Sequence, residues 1–183
     1  MKRKILSLFL SSCLSVIAAA DSAPSNPVDT TQLMAWLTAG ISGRRLIRLV
    51  HEGGFGAAPT ASEIQQLAAA GADKDLLSTL TELNPVAINA VRTPVLKGLL
   101  QAAEDVRDQR YHEAEVQLRA ALRLDSDNAA IHFALAAMLC RQEQWDDAYD
   151  ELMKSAKLMP DFPENHSGLA YVFYRVSDEG VNG

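Results

Sequence analysis

The sequence contains four histidines and several acidic pairs whose side-chain types could support metal binding or acid–base chemistry. Zinc-binding histidines stand at short spacings such as His-x3-His, and no two of the four do. The acidic pairs Asp146-Asp147 and Asp178-Glu179 fall at a predicted turn and near the C-terminal end, where carboxylates are normally solvated. No nucleophile stands in a recognisable pattern with a base. We therefore predict no metal site, no cofactor and no enzymatic activity; the histidines are His51, His112, His132 and His166.

Charge and glycine patterns argue against nucleic-acid or nucleotide binding. The chain has 17 Lys+Arg and 23 Asp+Glu, and its net charge of −6 falls to −9 without the basic residues 2–4. Arg44, Arg45 and Arg48 lie on one short predicted helix, which favours a solvated basic face over a helix-turn-helix DNA reader. The cluster Gly53-Gly54-Phe55-Gly56 has no Gly-Lys-Ser/Thr after it, so it predicts a helix stop and turn.

The N-terminus has the three parts of a secretory signal peptide. We expect residues 1–20 to be removed after Ala20 and the mature chain to be periplasmic or secreted. The apolar run is too short to span a bilayer, so no transmembrane anchor is expected. A lipoprotein box ending at Cys13 is the alternative; otherwise Cys140 is the one cysteine of the mature chain and no disulfide forms within it. The parts are the basic residues 2–4, the apolar run 5–16 and the alanines 18–20.

Residues 29–83 predict a mini-domain of four short helices, each delimited by capping and stop residues. Residues 21–28 are polar and contain prolines, which is typical of a flexible leader. Residues 84–94 contain two prolines, which predicts a linker or a packing connection. No window shows strand-type alternation, so the predicted fold class is all-α. The starts are Asp29 with Gln32, Ser42, Thr60 with Glu63, and Asp73; the stops are Gly40, Gly53-Gly54, Gly71 and Asn84-Pro85.

The remaining sequence repeats itself at an offset of 34 residues. The segments are 95–128, 129–162 and a partial 163–176, followed by a tail at 177–183. Alanines at equivalent positions would let two helices approach closely, and an aromatic residue precedes the second helix of each pair. His132 and His166 are interpreted as packing residues. Equivalent residues include Ala102/Ala136/Ala170, Arg107/Arg141/Arg175, Tyr111/Trp145, Ala114/Ala148, Leu118/Leu152 and Leu135/Leu169.

The run His132-x2-Leu135-Ala136-x2-Leu139, with Trp145-x2-Ala148-x3-Leu152 and Pro160 after it, resembles the tetratricopeptide repeat (TPR) family. The first repeat resembles the family in its second helix, but Gln101 and Asp105 occupy first-helix slots that are usually apolar. Residues 29–83 resemble a short helical module that precedes TPR arrays in some exported bacterial proteins. The resemblance implies a helical mini-domain followed by a solenoid of antiparallel helix pairs.

The resemblance also implies that the concave surface, formed by the first helices, binds a protein or peptide. Arg107, Arg141 and Arg175 at its edge would bind an acidic segment, or would complement the negative ends of their helices. The carried-over surface comprises Leu99, Ala103, Val106, Phe133, Ala137, Cys140, Ser167, Tyr171 and Tyr174.

Two functions follow from this resemblance. The first is an exported TPR adaptor or scaffold that binds a peptide or protein partner in the cell envelope. The second is a structural unit that self-associates into a homo-oligomer without a peptide ligand. It would do so through the last predicted helix, which has no covering helix and carries Tyr171, Phe173 and Tyr174.

Overall fold

A computed structural model describes residues 27–57, 59–82 and 93–181, and within these ranges the protein forms nine α-helices. The predicted signal peptide, the leader before residue 27 and most of the predicted linker lie outside the described residues. One isolated parallel bridge joins Val28 to Phe55, and the predicted all-α fold is confirmed. The helices are α1 (Thr30–Ala39), α2 (Gly43–Gly53), α3 (Ala61–Ala69), α4 (Lys74–Glu82), α5 (Thr93–Arg107), α6 (Tyr111–Leu124), α7 (Ala129–Arg141), α8 (Trp145–Leu158) and α9 (Pro163–Val181).

Helices α1 to α4 begin where their capping residues predict. The Asp29 carboxylate accepts the Gln32 backbone N–H at 2.8 Å, and the Gln32 side chain accepts the Asp29 N–H at 3.0 Å. The pair Thr60 and Glu63 forms the same reciprocal capping box. Gly40 ends α1 at φ 93°, a left-handed conformation that residues with a Cβ adopt at a cost.

Helices α5 to α8 form two helix pairs in the predicted 34-residue register. Each pair turns at a non-glycine residue in the left-handed region, Gln109 at φ 60° and Glu143 at φ 59°. Alanines that face the partner helix are fully buried, as Ala136 and Ala148 are in the second pair. A small side chain at these positions lets two helix backbones approach closely, which is what the alanine pattern predicts.

Helix α9 runs past the predicted end of the partial repeat at residue 176. The tail prediction is wrong for residues 177–181, because they continue α9. Ser177 stands where Gln109 and Glu143 make their turns, but it stays helical and its hydroxyl donates to the Phe173 carbonyl at 2.8 Å. The third repeat therefore has a long first helix and no immediate turn into a second one.

The mini-domain and the repeats share one hydrophobic core. Helix α1 lies against both α5 and α7. The ring of Trp36 stacks on Phe162, with centroids 5.1 Å apart, and Phe133 meets Phe162 edge-on at 5.4 Å. Helix α1 is buried along most of its length, with Leu33, Met34, Ala35 and Trp36 at most 1% exposed. The segment between α4 and α5 therefore connects two parts of a single packed unit.

Candidate partner-binding site

Helix α1 covers a large part of the concave surface that the sequence predicts to be free. Leu99 and Ala103 on α5 are buried, because α1 packs against the first helices of both complete repeats. The Arg141 guanidinium also donates to the Ala39 carbonyl at 3.4 Å. The prediction of an open groove along all three first helices is therefore wrong. Burying apolar first-helix side chains against an apolar α1 removes both surfaces from water, which is favourable.

What remains of the concave surface is a cleft between α7 and α9, which we name the α7–α9 cleft. Its volume is about 330 Å³, it opens to solvent, and its lining is almost entirely apolar. Three residues of the predicted site, Phe133, Ala137 and Tyr171, lie together in it. Tyr174, a fourth, is exposed and does not line the cleft. The lining residues are Phe133, Ala136, Ala137, Cys140, Leu152, Glu164, Ser167, Gly168 and Tyr171.

Two features of α9 give the cleft its shape. Gly168 lets α9 approach α8 closely, since a Cβ there would come within 2.8 Å of Leu152 Cδ2. The Tyr171 ring meets the Trp145 ring edge-on, with centroids 6.1 Å apart. Tyr171 thus forms a wall of the cleft while its own position is fixed by the start of α8.

A paired charge lies at the rim of the cleft. Arg45 on α2 donates to both carboxylate oxygens of Glu164, from Nε at 2.5 Å and from Nη2 at 3.2 Å. The hydrogen bond to Glu164 raises the pKa of Arg45 further above its ordinary value, against the lowering effect of burial. The prediction that Arg45 belongs to a solvated basic face is wrong, because this bidentate pair joins the mini-domain to α9.

Cys140 contributes its thiol to the cleft wall. Burial raises the pKa of this half-buried thiol, with the nearby Arg141 acting in the opposite direction. The thiol packs in the cleft wall as a small, weakly polar side chain. Within the described ranges no cluster of three or more His, Cys, Asp or Glu could hold a metal ion. None of the described helices has the length and apolarity needed to cross a membrane.

The repeated arginines pack on aromatic rings of the preceding repeat. The Arg141 guanidinium lies 5.7 Å from the centre of the Tyr111 ring, and Arg175 lies 4.7 Å from the centre of the Trp145 ring. Arg141 also donates to the Ala137 carbonyl at 3.2 Å near the end of its helix. Arg107 is exposed and has no earlier repeat to stack on. The two cation–π contacts are equivalent to each other, because Arg175 and Trp145 each lie 34 positions after Arg141 and Tyr111. The sequence did not predict them.

The two histidines of the repeat differ in their surroundings. His132 is buried, its Nδ1 lies 2.6 Å from a Glu151 carboxylate oxygen, and its Nε2 lies 2.9 Å from the Ser126 carbonyl. Although burial lowers it, these two hydrogen bonds raise the pKa of His132 above its ordinary value. His166 is exposed, so its prediction as a packing residue is wrong. Helix α8 covers His132, and no described helix covers His166.

Comparison with known proteins agrees with this architecture. Neither the curated proteins nor the solved structures yielded a match. The sequence profile of the tetratricopeptide repeat family matches residues 106–171, from the end of α5 to the middle of α9. The matched segment contains both helices of the second repeat, the second helix of the first, and all of the cleft lining. The helix pairs, their 34-residue register and this match together identify residues 106–171 as tetratricopeptide repeats.

Proposed function

We propose that this protein is an exported adaptor of the cell envelope that binds an apolar stretch of a peptide or protein partner in the α7–α9 cleft. Its role is binding without catalysis. Tetratricopeptide repeats generally mediate protein–protein interaction, and the cleft lies on the first-helix side of the repeats. The expectation of export comes from the signal-peptide pattern of residues 1–20.

The observation that carries the proposal is the cleft itself. Its volume of about 330 Å³ lies at the lower end of the roughly 300–1,000 Å³ of ligand sites. An apolar lining beside one paired charge favours one or two apolar side chains of an extended segment over a charged ligand. The rings of Phe133 and Tyr171 offer flat apolar contact area that costs little side-chain entropy.

The contacts of the repeated arginines give little support to the prediction that they bind an acidic segment of a partner. Arg141 donates hydrogen bonds to two backbone carbonyls and stacks on a ring, while Arg175 stacks on Trp145. These contacts favour a packing role for both. Arg107, which is exposed, remains as the candidate for an acidic contact.

Filling the cleft tests the proposal. Ser167→Phe places a large side chain at an exposed α9 position that lines the cleft, and Ser62→Phe makes the same change at an exposed position of α3. We expect residues 21–183 to capture a partner from a cell-envelope extract, the Ser62→Phe control to retain it, and Ser167→Phe to lose it at unchanged helicity. Capture that is equal for all three proteins would contradict binding in the cleft.

Self-association is the second candidate function, and the exposed side chains of α9 favour it. Phe173 is 72% exposed and Tyr174 is 64% exposed, on one side of a helix whose other side is packed. A self-associating unit would sediment faster as its concentration rises, whereas an adaptor would sediment as a monomer until its partner is added. Sedimentation velocity over a hundredfold concentration range separates the two.

A further inference from the structure

Glu164 is the one carboxylate in the described lining of the α7–α9 cleft, and that lining contains no Lys, Arg or His side chain. Its side chain is 24% exposed and stands in the first turn of α9. A carboxylate beside an apolar surface attracts a cation unless it already has a partner, because the other lining side chains offer it almost no hydrogen bonds. The partner of Glu164 therefore decides which charge the cleft presents to a ligand.

That partner comes from the mini-domain, not from the repeats. Arg45 on α2 donates from Nε and from Nη2 to the two carboxylate oxygens of Glu164. The Arg45 side chain is 19% exposed, and it stands behind the rim without lining the cleft itself. One guanidinium and one carboxylate in this bidentate geometry leave no net charge at the rim. The mini-domain thus supplies the positive charge that the cleft lining lacks.

The packing of α2 holds Arg45 in this position. Leu46, the next residue, and Val50, one turn later, are both buried in the core. Helix α2 packs against α4 and α1, and α1 lies against the repeats. Arg45 reaches α9 from the opposite side of α2, through the length of its side chain. Docking of the mini-domain therefore fixes where its guanidinium lies relative to Glu164.

The neighbouring charges of α2 are in more solvated positions. Glu52 lies 4.0 Å from Nη1 of Arg45, but its side chain is 68% exposed, so solvent screens this contact more strongly than the contact with Glu164. Arg48 carries the same charge as Arg45 three positions later, and it is exposed. Arg45 and Glu164 are therefore the pair that sets the charge at the rim of the cleft.

We propose that Arg45 is a specificity-determining residue of the α7–α9 cleft, which neutralises Glu164 so that the cleft accepts uncharged apolar side chains and rejects basic ones. The inference rests on the proposed function, in which the partner binds in this cleft. A lysine or arginine of a partner has to displace Arg45 from a bidentate pair, whereas an apolar side chain leaves the pair intact. The mini-domain thereby takes part in ligand selection.

Thiol reagents of opposite charge measure this preference. Ser167, three positions after Glu164 on α9, is exposed and lines the cleft. Ser167→Cys places a thiol there in the full chain, in which Cys13→Ser and Cys140→Ser remove the native thiols. Trimethylammonioethyl and sulfonatoethyl methanethiosulfonate each form a disulfide with this thiol and release methanesulfinate. The readout is the ratio of the cationic to the anionic labelling rate, because a change in the thiol's own reactivity affects both rates equally.

Arg45→Met should raise this ratio by about fivefold at low ionic strength, because an unpaired Glu164 attracts the cation and repels the anion. Adding Glu164→Gln to Arg45→Met should return the ratio close to its starting value. Glu164→Gln alone leaves Arg45 unpaired and should lower the ratio. These variants should retain the circular dichroism spectrum of the parent chain.

Two further variants separate the charge of Arg45 from a structural role and from the general charge of α2. Arg45→Lys keeps the positive charge without the bidentate geometry and should keep the ratio within about twofold of its starting value. Arg48→Met is the matched control, because it removes the same charge from an exposed position of the same helix. It should change the ratio by no more than about twofold, since solvent screens a more distant charge.

An unchanged ratio for Arg45→Met would overturn the proposal. Equal changes for Arg45→Met and Arg48→Met would also overturn it, because every basic residue of α2 would then act alike. Failure of the proposed function gives a different result. A ratio that responds to Arg45, in a chain whose partner capture does not respond to Ser167→Phe, would retain the control of cleft charge by Arg45 and reject partner binding there. Capture that Ser167→Phe abolishes, with a ratio that ignores Arg45, would retain the cleft and reject the role of Arg45.

Discussion

The mini-domain and the repeats are both helical, but they are stabilised in different ways. Helices α2, α3 and α4 are 9 to 11 residues long and bury one or two side chains each. Helices α5 to α8 are 13 to 15 residues long and pack in pairs along their length. Helix α1 belongs to the mini-domain by sequence and to the repeats by contact. The repeats can be described through pairwise packing, whereas the mini-domain depends on α1 and its contacts with the repeats.

The largest expected effect comes from breaking that dependence. Trp36→Ala removes a side chain that is 1% exposed and stacked on Phe162, and large-to-small changes of this kind cost about 3–5 kcal/mol. We expect a single unfolding transition at lower urea concentration, recorded by circular dichroism. Two separate transitions, with the second at the wild-type position, would show that the repeats are independent of the mini-domain.

Trp36→Phe is the matched control for that experiment. It retains an aromatic ring on Phe162 and removes the indole N–H, which has no hydrogen-bond partner among the described residues. Trp36→Phe should lower the free energy of unfolding much less than Trp36→Ala does. A ring still packs on Phe162, and removing the unpaired buried N–H partly offsets the loss of ring size.

Overpacking a helix pair tests the repeat side of the comparison. Ala148 is fully buried between α7 and α8, and Ala148→Leu should cost about 1–3 kcal/mol by forcing the two helices apart. Tyr149→Leu, at the exposed neighbouring position, should stay within about 0.5 kcal/mol of wild type. Thermal unfolding measures both. An unchanged melting temperature for Ala148→Leu would contradict the repeat register.

The smallest effect depends on pH and concerns the buried pair of the second repeat. Although burial acts in the opposite direction on each group, hydrogen bonding raises the pKa of His132 from 6.5 and lowers that of Glu151 from 4.5. The contribution of His132 is complete below pH 6.5 and is lost as pH rises through its folded pKa. The contribution of Glu151 is complete above pH 4.5 and is lost as pH falls through its folded pKa.

His132→Gln should therefore lower the free energy of unfolding by about 1 kcal/mol between pH 4.5 and 6.5, and by less at pH 8.5. Urea titrations at pH 5.5 and 8.5 measure the difference. His166→Gln makes the same change at the exposed equivalent position and should cost less at pH 5.5, because His166 has no carboxylate partner among the described residues. A penalty for His132→Gln that is the same at both pH values would mean that the pair contributes through packing alone.

The sequence predicts local features of this fold well and long-range ones poorly. Capping residues such as Asp29 and Thr60 act within three positions, so their helices begin where predicted. The 34-residue register can also be read from the sequence, because residues of the same type recur at equivalent positions of the repeats. The docking of α1 joins positions about a hundred residues apart, and no local pattern encodes it.

The same distinction holds for the candidate site. Phe133, Ala137 and Tyr171 come from repeat positions, and the structure brings them together in the cleft. The partners Arg45 and Glu164 are 119 positions apart, and neither stands in a repeated pattern that would link them. The exposure of His166 follows from the helical continuation at Ser177, which a comparison of repeats alone does not reveal.

The position of α1 has a consequence for how the chain acquires its structure during synthesis. Ala39 is made 102 residues before Arg141, its contact on α7. At about 5–20 residues per second, α1 leaves the ribosome on the order of 5–20 s before that part of its docking surface exists. Each helix pair of the repeats forms from neighbouring residues, whereas the α1 contacts must wait and close a long loop. An apolar helix that is translated before the repeats is thus one of the last to reach its final position, and until then its surface is open to chaperones and to aggregation.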